Sequence, residues 1–146
     1  MIQRKQTLWL FLASLFSAGV FYFDLYKIHL TIKSVDVIST LRVGDHYPLL
    51  IIAVVMCILP IISIFMFKQR KQQINMTVVS LVATILFIAL SLWQVSSYLK
   101  SLVPPITGGA YGIGLILPAI SVVFLIMAIM GIRRDEKLVR SVDRLR

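Results

Sequence analysis

A long uncharged segment near the end of the chain restricts the folds open to this sequence more than any other feature. Residues 111–132 contain no Asp, Glu, Lys or Arg, and a basic segment, residues 133–146, follows at once. As an α-helix the first segment is about 33 Å long, which is enough to cross the ~30 Å hydrocarbon core of a bilayer. Because Lys and Arg favour the cytoplasmic side of a membrane, this pattern predicts a transmembrane helix followed by a cytoplasmic tail.

Three further apolar segments, residues 7–23, 47–67 and 74–99, also contain no Asp, Glu, Lys or Arg. The mean hydropathy is +0.93 and only 14% of the residues are charged, which argues against a water-soluble domain. The bulky aromatic residues at 21–23 are unsuited to a signal-peptide cleavage site, so we expect the first segment to be retained. The sequence therefore predicts a single-domain, all-α membrane protein with a four-helix transmembrane bundle.

The distribution of positive charge predicts the orientation of these spans. Most of the 15 Lys and Arg residues lie in segments 1–6, 68–73 and 133–146. Lys27, Lys33, Arg42 and Lys100 are the exceptions. Four spans with both termini in the cytoplasm is the arrangement that places all three basic segments on one side. We predict a multi-pass protein of the bacterial inner membrane.

The longest polar connection, residues 24–46, has the pattern of β-strands. Ile28, Leu30 and Ile32 alternate with polar residues, and the apolar residues after Lys33 and Ser34 change phase. An alternation of period two is typical of a half-buried strand, and a turn near residues 33–34 would explain the change. We expect a small cap outside the membrane, built on a short β-hairpin.

Small residues in two segments predict helix–helix packing. Thr77, Ser80, Thr84 and Ser91 fall on one face of the third predicted helix, and Gly108 and Gly112 are four residues apart before the fourth. Such residues let helices approach closely in lipid. A polar path for a substrate along the hydroxyl face is the alternative interpretation.

The sequence lacks the residues that several kinds of function require. The predicted spans carry no charged side chain or histidine at hydrocarbon depth, where pumps and proton relays bind charge. No nucleophile–base pair is evident, so we expect no enzyme, no catalytic residue and no cofactor. The acidic and histidine side chains of the outer loop lack the spacing of metal ligands, so we expect no metal. The basic residues flank the spans, which argues against nucleic-acid binding.

The basic tail carries a stripe of four cations. Arg133, Lys137, Arg140 and Arg144 fall on one side of a helix drawn through residues 133–146. Three interpretations stay open: a solvated extension of the fourth helix, an interfacial helix on the anionic inner leaflet, or a helix that docks on a partner. Under the last two, these four residues contact lipid or a partner.

Four segments together resemble a known family. They are the opening MIQR (1–4), the turn FKQRKQ (67–72), the segment YGIG (111–114) and the closing IRRDEKLVRSVDRLR (132–146). The chain resembles small four-span membrane proteins of Bacteroidota-type bacteria that are described as a domain of unknown function. The resemblance implies an inner-membrane protein with four helices. It implies no activity, cofactor or catalytic residue.

The favoured function is therefore non-enzymatic. We expect an accessory or scaffold subunit whose partners are membrane lipids and a membrane protein or a second copy of the chain. The alternative is a carrier or binding protein for an uncharged lipophilic molecule or lipid, which would use the hydroxyl face of the third helix and a kink at Pro60. A cavity lined by that face would favour the carrier, and a dry core would favour the scaffold.

Overall fold

The computed structural model describes the backbone of residues 3–32, 35–101 and 106–143 and the side chains of residues 5–29, 38–100 and 108–138. Within these residues the chain forms four α-helices, three β-strands and one 3-10 turn. In chain order they are α1 (Gln3–Gly19), β1 (Tyr26–Ile32), β2 (Val35–Leu41), the 3-10 turn Val43–Asp45, α2 (Tyr47–Phe65), α3 (Arg70–Ser101), β3 (Ile106–Tyr111) and α4 (Ile113–Asp143).

The helices pack side by side in a closed order. Helix α1 packs against α2 and α4, and α3 packs against the same two helices. Side chains near the starts of α1 and α3 meet α4 close to its end, so neighbouring helices run antiparallel. We call this end of the helices, where α4 leads into the basic tail, the tail end. The opposite end, where the strands lie, is the sheet end.

Three of the described helices are long and apolar enough to cross a membrane: Tyr47–Phe65, Arg70–Lys100 and Ile113–Leu138. The first predicted span, residues 7–23, differs from the structure, because α1 begins at Gln3 and ends at Gly19 after 17 residues. Glycine is favoured at helix ends. The chain then continues in tight turns, in which the N–H groups of Val20, Phe21 and Tyr22 each donate to the carbonyl three residues earlier.

The predicted β-hairpin is confirmed, and a third strand joins it. Strands β1 and β2 pair antiparallel, with Tyr26 opposite Leu41 and Ile32 opposite Val35. The predicted turn at residues 33–34 lies outside the described residues. Strand β3, which the sequence did not predict, pairs antiparallel with the other edge of β1, so that the strand order is β2-β1-β3.

The prediction that Gly108 and Gly112 pack on a helix is wrong. Gly108 lies in β3 opposite His29, and Gly112 precedes the first residue of α4. The N–H of Gly112 donates to the carbonyl of Leu25 at 2.9 Å. A Cβ atom at Gly112 would collide with the carbonyl oxygen of Asp24, whereas nothing lies near a Cβ at Gly108. Close approach of two backbones, and not helix packing, is what requires glycine at position 112.

The buried apolar side chains form two clusters. The larger one joins the sheet to α2 and α3 and includes Ile28, Leu41, Met56, Phe87 and Val95. The smaller one lies between α1 and α4 and consists of Leu10, Ala13, Leu125 and Ala128. Small residues in the second cluster let α1 and α4 approach closely.

Candidate functional site

The hydroxyl face of α3 points into the protein. Thr77, Ser80, Thr84 and Ser91 are all 0% exposed. Three of these hydroxyls donate to the carbonyl four residues earlier in α3, each at 2.8 Å: Thr77 to Gln73, Thr84 to Ser80 and Ser91 to Phe87. Bonds of this kind satisfy the hydroxyl within its own helix, so that the residue packs as a small side chain. The oxygen of Ser80 has no hydrogen-bond partner among the described residues.

Two pairs of hydroxyls join neighbouring helices. Ser63 of α2 lies 2.8 Å from Thr77 of α3, and Ser17 of α1 lies 2.9 Å from Ser121 of α4. In the first pair, Thr77 and Ser63 lie 2.8 and 3.3 Å from the carbonyl oxygen of Gln73, and either hydroxyl can be the donor to the other. The proton of Ser121 goes to the carbonyl of Ala13 at 2.9 Å, so Ser17 is the donor in the second. All four hydroxyls are therefore used in contacts within the protein.

A third hydroxyl bond supports the proline of α2. Pro60 lies inside the helix and is buried. Proline removes a backbone hydrogen bond, and Ser or Thr side chains from neighbouring helices commonly satisfy the carbonyls affected in membrane proteins. Ser14 of α1 donates to the carbonyl of Cys57 at 3.0 Å, three residues before Pro60. The carbonyl that Pro60 leaves without its usual donor is that of Met56, so this bond ties α1 to α2 at the adjacent residue.

A buried polar cluster, which the sequence analysis missed, joins three helices at the tail end. Asp135 of α4 and Gln6 of α1 are each only 7% exposed. The side-chain amide of Gln6 donates to the carboxylate of Asp135. The guanidinium of Arg70 at the start of α3 donates to the backbone carbonyl of Asp135 at 2.9 Å. We call these three residues the tail-end cluster; they fix the position from which the basic tail departs.

A signal for Asp135 was present in the sequence. The buried residues Leu125, Ala128 and Ile132 of α4 recur at intervals of three and four, and Asp135 is the next member of that series. This spacing marks one face of a helix. Asp135 lies on that face, so a carboxylate there requires a buried hydrogen-bond donor. The donor, Gln6, was not foreseen because Gln6 was placed in the polar segment before the first span.

The four predicted tail cations are only partly described. Arg133 and Lys137 are exposed, and the side chains of Arg140 and Arg144 lie outside the described residues. The backbone of α4 is helical through Asp143, so the tail begins as a direct extension of the fourth helix. Arg133 and Lys137 line a cleft of about 490 Å³ between α3 and α4, which we call the α3–α4 cleft.

Several polar groups of the connection 24–46 bond to one another, and one reaches α3. The guanidinium of Arg42 donates to the carboxylate of Asp24 at 2.7 Å, and the amine of Lys27 lies 3.7 Å from the same carboxylate. Hydrogen bonding to Asp24 and its negative charge raise the pKa of Arg42. The backbone N–H of Arg42 donates to Asp45 at 2.8 Å, and His46 contacts Gln94 at 3.0 Å. Among the described residues, no three His, Cys, Asp or Glu side chains gather where they would hold a metal ion.

Comparison with known proteins gives a family. Residues 2–145 match the model of the family described as "Domain of unknown function (DUF4293)". The chain belongs to this family. The match covers nearly the whole chain and confirms the resemblance to a domain of unknown function seen in the sequence. No curated protein and no solved structure matches the chain.

The described geometry favours contact over chemistry. A hydroxyl becomes a nucleophile when a base takes its proton, and the protons of Thr84, Ser91 and Ser121 go to backbone carbonyls instead. The pairs Ser63–Thr77 and Ser17–Ser121 hold neighbouring helices together.

Proposed function

We propose that the chain is a four-span protein of the bacterial inner membrane that acts without catalysis, as an accessory or scaffold subunit of a membrane complex. The observation that carries this proposal is the use of buried hydroxyls for contacts between and within helices, as in the pairs Ser63–Thr77 and Ser17–Ser121. An interior in which the described hydroxyls, apart from that of Ser80, are bonded within the protein offers little to a substrate. We therefore expect the function to lie on the outer surfaces of the protein.

The exposed face of α1 supports a fourth span. Leu8, Phe11 and Leu15 are 51%, 56% and 56% exposed, although α1 packs between α2 and α4. Large apolar side chains at this spacing form one outward face, which lipid covers at little cost. A helix of 17 residues lies at the lower end of the length that spans a bilayer. The turns that follow, through Phe23, extend its reach.

The charges at the two ends support cytoplasmic termini. The tail end carries most of the described cations: Lys5, Lys68, Arg70, Lys71, Arg133, Arg134 and Lys137. The sheet end carries Lys27, Arg42 and Lys100. Positive residues accumulate on the cytoplasmic side of bacterial membrane proteins, which makes the tail end the cytoplasmic end.

A carrier for an uncharged lipophilic molecule is the second candidate. The hydroxyl face of α3 gives it no support, because those side chains are fully buried. A different feature favours it: a cleft of about 550 Å³ between α1 and α2, next to Pro60. Its lining is largely apolar and consists of Leu8, Phe11, Ile61, Ile64 and Phe65, with the hydroxyls of Thr7 and Ser14. An apolar lining with few polar groups is typical of sites for lipophilic ligands.

Cysteine labelling tests the proposed topology. Cys57 is replaced by Ser, and single cysteines are placed at Ser141 and at Lys100. In intact cells a membrane-impermeant maleimide is expected to label Lys100→Cys and not Ser141→Cys, and both are expected to react after the membrane is opened. Labelling of Ser141→Cys from outside would contradict the cytoplasmic tail.

Purification from the native membrane tests the function. The tagged chain is extracted in a mild detergent, and both its proteins and its lipids are identified by mass spectrometry. We expect a stoichiometric membrane-protein partner, or a second copy of the chain seen as a defined oligomer. A monomer that instead carries one lipophilic molecule, lost when Phe11 and Ile61 are replaced by Ala, would favour the carrier and contradict the scaffold.

A further inference from the structure

We propose that the α3–α4 cleft binds the phosphodiester headgroup of an anionic phospholipid. This rests on the membrane location in the proposed function and is independent of the scaffold function. The cleft was not evident from the sequence, because it combines residues of the short basic turn with residues of the tail.

Each of the two helices contributes three residues to the cleft, and the spacing of the three is the same in both helices. Helix α3 contributes Lys71, Ile74 and Asn75, and α4 contributes Arg133, Glu136 and Lys137. In each helix the three positions are separated by three and four residues, so they share one face. Two such faces opposite each other enclose about 490 Å³, a volume suited to a small polar group.

The charges in the cleft suit a single phosphate. Three cations line it against one carboxylate, that of Glu136. Among the described residues, no carboxylate lies within ion-pair distance of Lys71, Arg133 or Lys137. The guanidinium of Arg133 can bind two phosphate oxygens at once, and the ammonium groups add point charges. Arg70, by contrast, is engaged with the carbonyl of Asp135.

The surface next to the cleft distinguishes a lipid from a soluble anion. The same faces of the two helices continue towards the sheet end as exposed apolar stripes, each at intervals of three or four residues. On α3 these are Val79, Val82 and Leu86, and on α4 they are Met130, Ile126 and Val123; they are between 42% and 58% exposed. Cations placed directly beside an apolar stripe match a phospholipid, whose acyl chains lie along the stripe while its phosphate lies in the cleft.

Lipid binding to the purified, full-length protein tests the proposal. Phosphatidylglycerol or phosphatidylcholine is titrated onto the detergent-solubilised chain, and bound lipid is counted by native mass spectrometry. The unmodified chain is expected to prefer phosphatidylglycerol. The double variant K71Q/R133Q is expected to bind phosphatidylglycerol about 30-fold more weakly, since each cation near an anionic headgroup contributes ~1 kcal/mol.

A matched variant separates the cleft from general surface charge. K68Q/R134Q removes the same two charges from exposed neighbours that do not line the cleft, and it is expected to change binding less than about twofold. Equal loss in both variants, or no loss in either, would overturn the proposal. Displacement of phosphatidylglycerol by millimolar inorganic phosphate would also overturn it, in favour of a soluble anion. Release of the chain from membranes by alkaline carbonate would instead contradict the proposed membrane location.

Discussion

The two ends of the helices are held together by different kinds of bond. At the sheet end backbone groups make the contacts between the strands and α4: the strands pair with one another, and the N–H groups of Gly112 and Gly114 donate to the carbonyls of Leu25 and Asp24 at 2.9 and 3.2 Å. Side-chain bonds, such as that of Arg42 to Asp24, and the larger apolar cluster act beside them. At the tail end the contacts are made by side chains. The carboxylate of Asp135 accepts from Gln6, and Arg70 reaches the backbone of α4.

This difference determines how each end responds to sequence change. Backbone bonds are indifferent to most side chains, so these bonds of the sheet end depend on residue identity only where two backbones touch. Bonds between side chains depend on two residues at once, and a buried group that loses its partner costs ~1–3 kcal/mol. The tail end is therefore easily altered, and it is also the end that carries the α3–α4 cleft and the basic tail.

The largest effect is expected at the sheet end, from Gly112→Ala. The added Cβ meets the carbonyl oxygen of Asp24, which belongs to the backbone and cannot rotate away. We expect a loss of about 3 kcal/mol in the free energy of unfolding, at the upper end of the usual cost of overpacking. Reversible unfolding by SDS in mixed micelles measures it.

Gly108→Ala is the matched control for this comparison. The residue lies four positions earlier, and among the described residues no atom beyond its chain neighbours lies within 4 Å of its added Cβ. Its expected change is less than about 0.5 kcal/mol. Similar losses at positions 108 and 112 would mean that glycine is needed for chain flexibility in this segment, and the contact with Asp24 would lose its importance.

The second effect is expected at the tail end, from the pair Gln6 and Asp135. Each replacement by Ala is expected to destabilise the protein, since the other buried group is left without its partner. The double-mutant cycle is expected to give a coupling energy of about 1.5 kcal/mol, because the acceptor is a carboxylate. The measurement is again unfolding in mixed micelles.

Arg134→Ala is the control at this end, because Arg134 is adjacent to Asp135 and exposed. It is expected to leave the free energy of unfolding within about 0.5 kcal/mol of the unmodified chain. Additive effects of the Gln6 and Asp135 replacements would show that the two side chains do not interact. The tail end would then be held by apolar packing and by the bond of Arg70 to the Asp135 carbonyl, and the contrast with the sheet end would weaken.

Much of the fold follows from patterns that are local in the sequence. The apolar segments give α2 and α3 within a few residues at both ends and α4 within two residues at its start, although α4 continues 11 residues past the predicted span; the alternation of Ile28, Leu30 and Ile32 gives the hairpin. Strand β3 was missed because Gly108, Gly109 and Ala110 have low strand propensity, and its partner β1 lies more than 70 positions earlier in the chain. Such pairing depends on tertiary structure that brings the partner strand into place.

The candidate sites were predictable to different degrees for the same reason. The buried hydroxyl face of α3 lies within one helix, so its periodicity alone placed Thr77, Ser80, Thr84 and Ser91 on one side. The tail-end cluster and the α3–α4 cleft combine residues from separate helices. Gln6 and Asp135 are 129 positions apart, and Lys71 is far from Arg133 in the sequence. Only the packing of the helices brings them together.

The smallest effect is expected midway between the two ends, where side-chain bonds cross the helix interfaces. Ser121→Ala removes the acceptor of Ser17 and the donor to Ala13, and we expect a loss of about 0.6 kcal/mol, the average for such bonds in membrane proteins. Ser80→Ala is the matched control, because the Ser80 oxygen is buried without a described partner and its removal is expected to be neutral or stabilising. Both are measured by unfolding in mixed micelles. A larger loss at Ser80 than at Ser121 would mean that the Ser80 hydroxyl is bonded in the membrane to a water or a ligand. That outcome would favour a binding role over a packing role for the polar residues of the interior.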